Sequence, residues 1–499
     1  MFKSFFLKLL KESGLTTLWS SPFDTKLLCA QRFIRLVAYG SSTLILVSYL
    51  SALGISEAKI GLFMTLTLIG DTALSFIFTV FADSLGRKAV LIFGAVLMSA
   101  AGAIFALCGN YWVLLVAAVI GVISPNGNEI GPFRAIEESI IAQITPEDDR
   151  GDIYAWYSLL GALGSALGLG ICGWVLEFLL NGLGWNTIKA YRTIFWGYSA
   201  LGGIMLCFVL ALSKGCEIKS NPESLKEMDT SSARSDDNDA LPPKKKPLPF
   251  WKAVKFSHKS KIVVIKLCIL FALDSFACSL APLSWITFFF HDKFKISENK
   301  LGTLFFITSF ITALSMLPAS SVAKRLGNIK TMVFAHLPGA IFLAVIPIPN
   351  SISLAVTFLV LRSSTQSMDT APRSAFLAGV VQSHERTAMM GFVYMARSSA
   401  SSAGPILTGV LAGKGLLWVA FVLAGSLMVV YDLGILVAFG GHRRLGHDEE
   451  GQDESEDEER IGSAQTEDTT IRKSNDGGEK KLEVMINVKE VEPSSLEKD

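Results

Sequence analysis

GLFMTLTLIGDTALSFIFTVFADSLGRKAV occupies residues 61–90 and decides how the rest of the chain is read. About twenty apolar residues run from Gly61 to Phe81, long enough to cross a hydrocarbon layer of roughly 30 Å as a helix. The run is interrupted by one acid, Asp71, and ends in a short charged connection holding Asp83, Gly86, Arg87 and Lys88. A second apolar run starts at once with Ala89. Gly86 permits a tight turn, Arg87 and Lys88 hold that turn in water or headgroups, and Asp83 suits helix N-terminal amides or a basic partner. An acid inside an apolar span, as at Asp71, is costly unless it is paired or faces a cavity.

Working outward, apolar runs of this length recur through most of the 499 residues. Hydrophobic residues make up 51% of the chain and charged residues 18%, below the roughly 25% usual in soluble globular proteins. The runs do not alternate polar and apolar residues, which excludes barrel strands, so helices must satisfy the backbone in lipid. Twelve spans are expected, near 33–53, 60–80, 89–108, 112–141, 154–179, 193–213, 262–290, 301–323, 330–348, 351–375, 387–411 and 416–439. They fall into two sets of six, 33–213 and 262–440, joined by a polar Ser-, Asp-, Pro- and Lys-rich linker, 214–261. The N-terminal segment 1–32 is short and basic and reads as cytoplasmic. An acidic, low-complexity tail, 441–499, is expected to be disordered, with Ser455 a candidate phosphorylation site. Basic residues before the first span, at Arg87 and Lys88, in the KKK of 244–246 and at Lys324, Arg325 and Lys330 share one side of an even-numbered topology. By the positive-inside rule that side, with both termini, is cytoplasmic.

The 61–90 stretch resembles the signature of the major facilitator superfamily of secondary transporters. The matching residues are Gly61, Asp71, Asp83, Gly86, Arg87 and Lys88. A weaker echo in SSVAKRLGNIKTMV, 320–333, keeps Arg325, Gly327 and Lys330 but lacks the acid. The resemblance covers roughly 33–440. It implies an all-α polytopic membrane protein of twelve transmembrane helices in two six-helix bundles, and it makes these nine residues a conformational latch rather than a substrate site. It further implies a small-molecule substrate moved by alternating access, by symport or antiport driven by a proton or solute gradient, in contact with membrane lipids. An intramembrane acid could take the proton as coupling ion, and a monomer is expected.

A second pattern points to the cavity. In 126–157 Glu129 precedes Pro132 and Arg134 follows it; in 367–394 Asp369 precedes Pro372 and Arg373 follows it. The two segments lie six spans apart, as a repeat across the halves requires. Proline loosens each helix, and broken helix is tolerated only against protein or a wet cavity. Glu129, Arg134, Asp369 and Arg373 are therefore candidates for substrate binding or coupling, or alternatively buried ion pairs that fix packing. Asp274 and Arg397 join them as intramembrane charges, and Arg362 lies in the tenth span. Glu137 and Glu138 are expected nearer the cytoplasmic end as gate or surface charges, and His336 as a structural histidine. Tyr39, Trp156, Tyr157, Trp285 and Tyr394 are candidates for a substrate path or for interfacial belts. No phosphate-cradling, HExxH or GxSxG motif is present. No enzyme activity, metal, cofactor or nucleic-acid partner is therefore expected. A passive facilitator and a non-transporting receptor of the same fold are the alternatives, and a plasma or vacuole-like membrane is the expected location.

Overall fold

The computed structural model describes residues 15–121, 123, 132–216, 258–316, 319–380 and 383–440; the side chains of 75–85, 383–388 and a few single helical positions lie outside that description. Every regular element among the described residues is helical. The first group is α1 (Leu15–Ser20), α2 (Phe23–Ala52), α3 (Glu57–Leu85), α4 (Arg87–Leu107), α5 (Tyr111–Ile120), α6 (Pro132–Ile144), α7 (Glu147–Glu177) and α8 (Thr187–Ala211). The second is α9 (His258–Leu280), α10 (Leu283–Phe294), α11 (Glu298–Ser315), α12 (Ala319–Leu326), α13 (Asn328–Val345), α14 (Ile352–Thr365), α15 (Thr370–Gly379), α16 (Ser383–Gly413) and α17 (Leu417–Phe439).

Among the described residues seven stretches are long and apolar enough to cross a membrane: Phe23–Ala52, Arg87–Leu107, Asp149–Gly182, Thr187–Ala211, Ser260–Phe294, Asn328–Val345 and Leu417–Phe439. Of the five other expected spans, α3 has side chains outside that description, α11 opens with the polar Glu298, Asn299 and Lys300, and three have further local causes. The fourth and tenth expected spans are each split, into α5 and α6 and into α14 and α15, so their apolar pieces Tyr111–Ile120 and Ile352–Thr365 are short. α16 carries Arg397 among Ser398, Ser399, Ser401 and Ser402, which lowers its hydropathy. Pro132 opens α6 and Pro372 lies in the first turn of α15, positions where a missing N–H costs nothing. The first span begins as helix at Phe23, ten residues before its apolar run. Large apolar side chains such as Ile269, Phe334 and Val437 point outward, as lipid-facing surfaces require.

Packing repeats between the two groups. α2 lies along α7 as α9 lies along α16, and α4 lies along α8 as α13 lies along α17. The groups meet chiefly where α3 packs on α16 and α7 on α11. The glycines of the fifth span serve close approach: a Cβ at Gly168 would sit 2.1 Å from the Val37 carbonyl oxygen of α2. Only small residues allow helices so near. In α16, Pro405 has no N–H, and the next amide, Ile406, donates to Thr65 Oγ1 of α3 at 3.0 Å. A proline-loosened turn thus becomes a polar tie between the groups.

Candidate functional site

The connection between α3 and α4 is a single-residue turn. Gly86 joins α3 to α4 with φ +90°, and Gly327 joins α12 to α13 with φ +85°. Both angles are in the region that side chains with a Cβ rarely adopt. The two groups therefore use the same backbone device at the same place. Arg87 donates to Gln143 Oε1 of α6 at 2.7 Å. Lys88 Nζ donates to the carbonyls of Leu210 and Leu212 at 3.0 and 2.6 Å, placing a cation on the negative end of α8. Arg325 and Lys330 are exposed. The Asp83 side chain lies outside the described residues. Gly61, grouped by motif with this loop, sits at the far end of α3, roughly 38 Å away at 1.5 Å per residue. There it packs against Gly409 of α16. Asp71 is buried within α3 and acts electrostatically on Tyr394 of α16.

The second group holds a buried ionic network. Arg373 of α15 donates from Nη1 to Asp274 Oδ2 of α9 at 3.0 Å and from Nη2 to Asp369, in the turn before α15. Asp274 is 1% exposed and Asp369 3%. His336, expected from sequence to be structural, and Asp432, not singled out there, complete it. His336 of α13 places Nδ1 3.1 Å from both carboxylate oxygens of Asp432 on α17, and its Nε2 lies 4.0 Å from Asp274 Oδ1. An ionised carboxylate only accepts, so Nδ1 carries the proton in this arrangement. The Tyr431 ring meets His336 edge-on, and the Arg373 guanidinium lies over Phe271 and Tyr431. Arg397 donates from Nε to Ser275 Oγ at 3.0 Å and also faces Phe271. Asp274 of α9, Asp369 and Arg373 at the start of α15, and Arg397 of α16 are thereby brought together. Asp432 was legible as an acid in the apolar run VVYDLGILV. His336 was legible only as a lone polar residue.

The first group has a different network. Arg35 of α2 holds Glu137 of α6 in a bidentate pair at 2.8 and 2.6 Å, with both side chains at 0% exposure. Tyr157 of α7 donates to the same carboxylate at 2.5 Å, and Arg32 stacks over the Tyr157 ring at 4.2 Å. Glu137 is therefore no surface charge: the basic residues of α2 enter the interior because a carboxylate and an aromatic face await them there. Arg134, one residue off that face, pairs instead with Glu138 one turn along and is half exposed. Arg134 and Arg373 follow equivalent prolines yet occupy unlike environments. Glu129 lies outside the described residues. Of the aromatic candidates, Tyr39, Tyr157 and Trp285 are fully buried, whereas Tyr394 is 61% exposed.

Comparisons with known proteins match this arrangement. The family model of the Major Facilitator Superfamily matches over residues 28–361 and again over 267–475. The uncharacterized membrane protein YJR124C of Saccharomyces cerevisiae is 36% identical over 422 residues, covering 84% of this chain and 94% of its own. The quinolone resistance protein NorA of Staphylococcus aureus is 26% identical over 180 residues, 36% of this chain and 42% of its own. Among solved structures, the nucleoside transporter NupG superposes with a TM-score of 0.60 at 17% identity, over 85% of this chain and all of its own. The D-xylose-proton symporter gives 0.60 at 14%, over 82% and 96%. With helices paired in the same way in both groups, a glycine turn at the same place in each and a family match across nearly all the described residues, the chain belongs to the major facilitator superfamily, whose members are secondary transporters that move small solutes by alternating access.

Proposed function

We propose that this protein is a proton-coupled secondary transporter of a small organic solute. Twelve spans in two six-helix bundles rock around a central site, with the Gly86 and Gly327 connections and both termini in the cytoplasm. Gly61, Asp71, Asp83, Gly86, Arg87, Lys88, Arg325, Gly327 and Lys330 belong to the elements that switch between states. The protein works in a plasma or vacuole-like membrane as a monomer. The observation that carries the coupling is the Asp274–Arg373–Asp369 network with the His336–Asp432 pair at 3.1 Å beside it. Ionisable groups are expensive inside a membrane and are kept where they serve ions, protons or substrate. Here one arginine serves two carboxylates while a histidine, the side chain suited to change charge near neutral pH, bridges a third to the first. A proton arriving on this network weakens the bonds linking α9, α13, α15 and α17, and so favours one arrangement of the helices over another. The proton-coupled likeness of fold, the D-xylose-proton symporter, is consistent with this reading.

The test is flux in proteoliposomes across a library of organic solutes, with and without an imposed pH gradient. A solute accumulated only under the gradient, by wild type and not by Asp274→Asn, is the expected outcome. Equilibration that ignores the gradient makes the protein a passive facilitator. Ligand binding without flux of any solute makes it a receptor. Either result removes the coupling role of the network.

A further inference from the structure

We infer that the central cavity takes an organic anion, a carboxylate, phosphate or sulfonate, on Arg362 and Arg397. This rests on the transporter reading above and names the substrate class of the same site. The first observation is where accessible and hidden charges lie. Cys278 of α9 is exposed although many protein atoms lie close around it, and Arg362 of α14 is partly exposed in similarly dense surroundings. Side chains of that kind border an internal, water-accessible space. Cys278 is one helical turn beyond Asp274 on the same face of α9, and its thiol lies 3.8 Å from Asp274 Oδ1. Arg362, Arg373 and Arg397 all act electrostatically on that thiol, so three arginines from α14, α15 and α16 converge on this space.

The second observation concerns what answers those cations. Arg373 is matched by Asp274 and Asp369. Arg397 touches neutral groups, the Ser275 hydroxyl and the Phe271 ring, and feels the Asp274 charge only from beyond ion-pair distance. Among the described residues no carboxylate lies within ion-pair distance of Arg362. The acids of the network are withdrawn: Asp274, Asp369 and Asp432 are 1%, 3% and 0% exposed, and Asp71 across the interface is 4% exposed. Among the described residues the charge presented to the cavity water is therefore positive, and the negative charge stands behind it. A guanidinium enclosed by protein without a counter-charge is costly. Its planar fork of donors matches a carboxylate or phosphate in two parallel hydrogen bonds. The exposed Tyr394 ring, near enough to Arg397 to feel its charge, offers an apolar face to the remainder of such a molecule.

Cys278 is the reporter. Full-length protein in nanodiscs is treated with two methanethiosulfonates of similar size, one ending in a sulfonate and one in a trimethylammonium group. Each forms a mixed disulfide with the cysteine thiolate, which has given its proton to water, and expels methanesulfinate. Modification of the Cys278 peptide is followed by mass spectrometry and normalised to each reagent's rate with a free thiol. The anionic reagent is expected to react about tenfold faster, the order expected from one or two uncompensated charges nearby in a partly aqueous cavity. Arg362→Gln and Arg397→Gln each reduce that preference several-fold, and Arg362→Lys retains it. If Arg362→Gln fails to fold, Arg397→Gln and Arg362→Lys carry the comparison alone. Because the Cys278 thiol donates to Asp274, labelling is carried out at alkaline pH and followed to completion. Preference for the cationic reagent, no change in the arginine variants, or no modification of Cys278 in folded protein even then overturns the proposal. The preference is expected to be equal in phosphatidylcholine and phosphatidylglycerol nanodiscs. Its collapse in phosphatidylglycerol assigns the arginines to a lipid headgroup and also overturns it. Labelling needs no flux or pH gradient, so a failed coupling experiment and a failed anion site are told apart.

Discussion

Substituting Gly61 by alanine tests whether this end of the molecule is a gate. Gly61 and Gly409 meet backbone to backbone where α3 packs on α16: a Cβ at Gly61 would lie 2.4 Å from the Pro405 carbonyl oxygen and 2.7 Å from Gly409 Cα. The other crossing is built alike. A Cβ at Gly173 of α7 would lie 2.5 Å from the Glu298 carbonyl oxygen and 2.7 Å from Gly302 Cα of α11. The obstructing atoms are backbone, so no side chain can step aside. To regain ordinary contact the helices must separate by roughly 1 Å, and overpacking of this kind costs about 1–3 kcal/mol. At about 1.4 kcal/mol per factor of ten, Gly61→Ala shifts the balance between closed and open at this end about five- to 150-fold toward open. Spin labels on α3 and α16 near Gly61 and Gly409, read by pulsed electron resonance in nanodiscs, report the separation directly. Gly61→Ala and Gly173→Ala are expected to move the distance distribution outward. Gly203→Ala is the control, because a Cβ there meets nothing within 4 Å. An unmoved distribution in both interface variants refutes the claim that these contacts hold the end shut.

The buried Arg35–Glu137 pair supports the first group, so Glu137→Gln is expected to lower unfolding stability by about 3–5 kcal/mol by stranding a buried guanidinium. Arg134→Gln, in a half-exposed pair, is expected to cost less than about 1 kcal/mol; chemical denaturation in detergent measures both, and similar losses contradict the assignment. Asp432→Asn and His336→Gln are each expected to flatten the pH profile of flux while the protein stays folded, and unchanged profiles in both take the pair out of coupling. Outside the spans, burial, with Asp24 nearby, pushes the Cys216 thiol up to about 11. It is protonated at neutral pH, so maleimide is expected to leave it unmodified at pH 7 and to react progressively faster as pH climbs toward 11. Rapid labelling at pH 7 contradicts that burial.

Much of the architecture follows from composition alone, because lipid leaves the backbone only one economical answer. A run of twenty apolar residues must become helix wherever it sits, and a glycine beside two cations must mark where one helix stops and the next starts. The turns at Gly86 and Gly327 were therefore legible from a few residues each, and so were the interruptions of the fourth and tenth spans, since proline and glycine act on their own neighbours.

Charge partnership was not legible, because it is decided between helices distant in the chain. Glu137 and Glu138 are adjacent and chemically alike, yet α6 turns one to Arg35 and Tyr157 in the interior and leaves the other half-exposed beside Arg134. His336 stands 96 residues from Asp432, and nothing near either one announces the other. Local sequence determined that helices form and where they end. Only the packing of α9, α13, α15, α16 and α17 decided which ionisable groups neutralise one another and which arginines remain facing water, because desolvation and Coulomb attraction depend on distance in space.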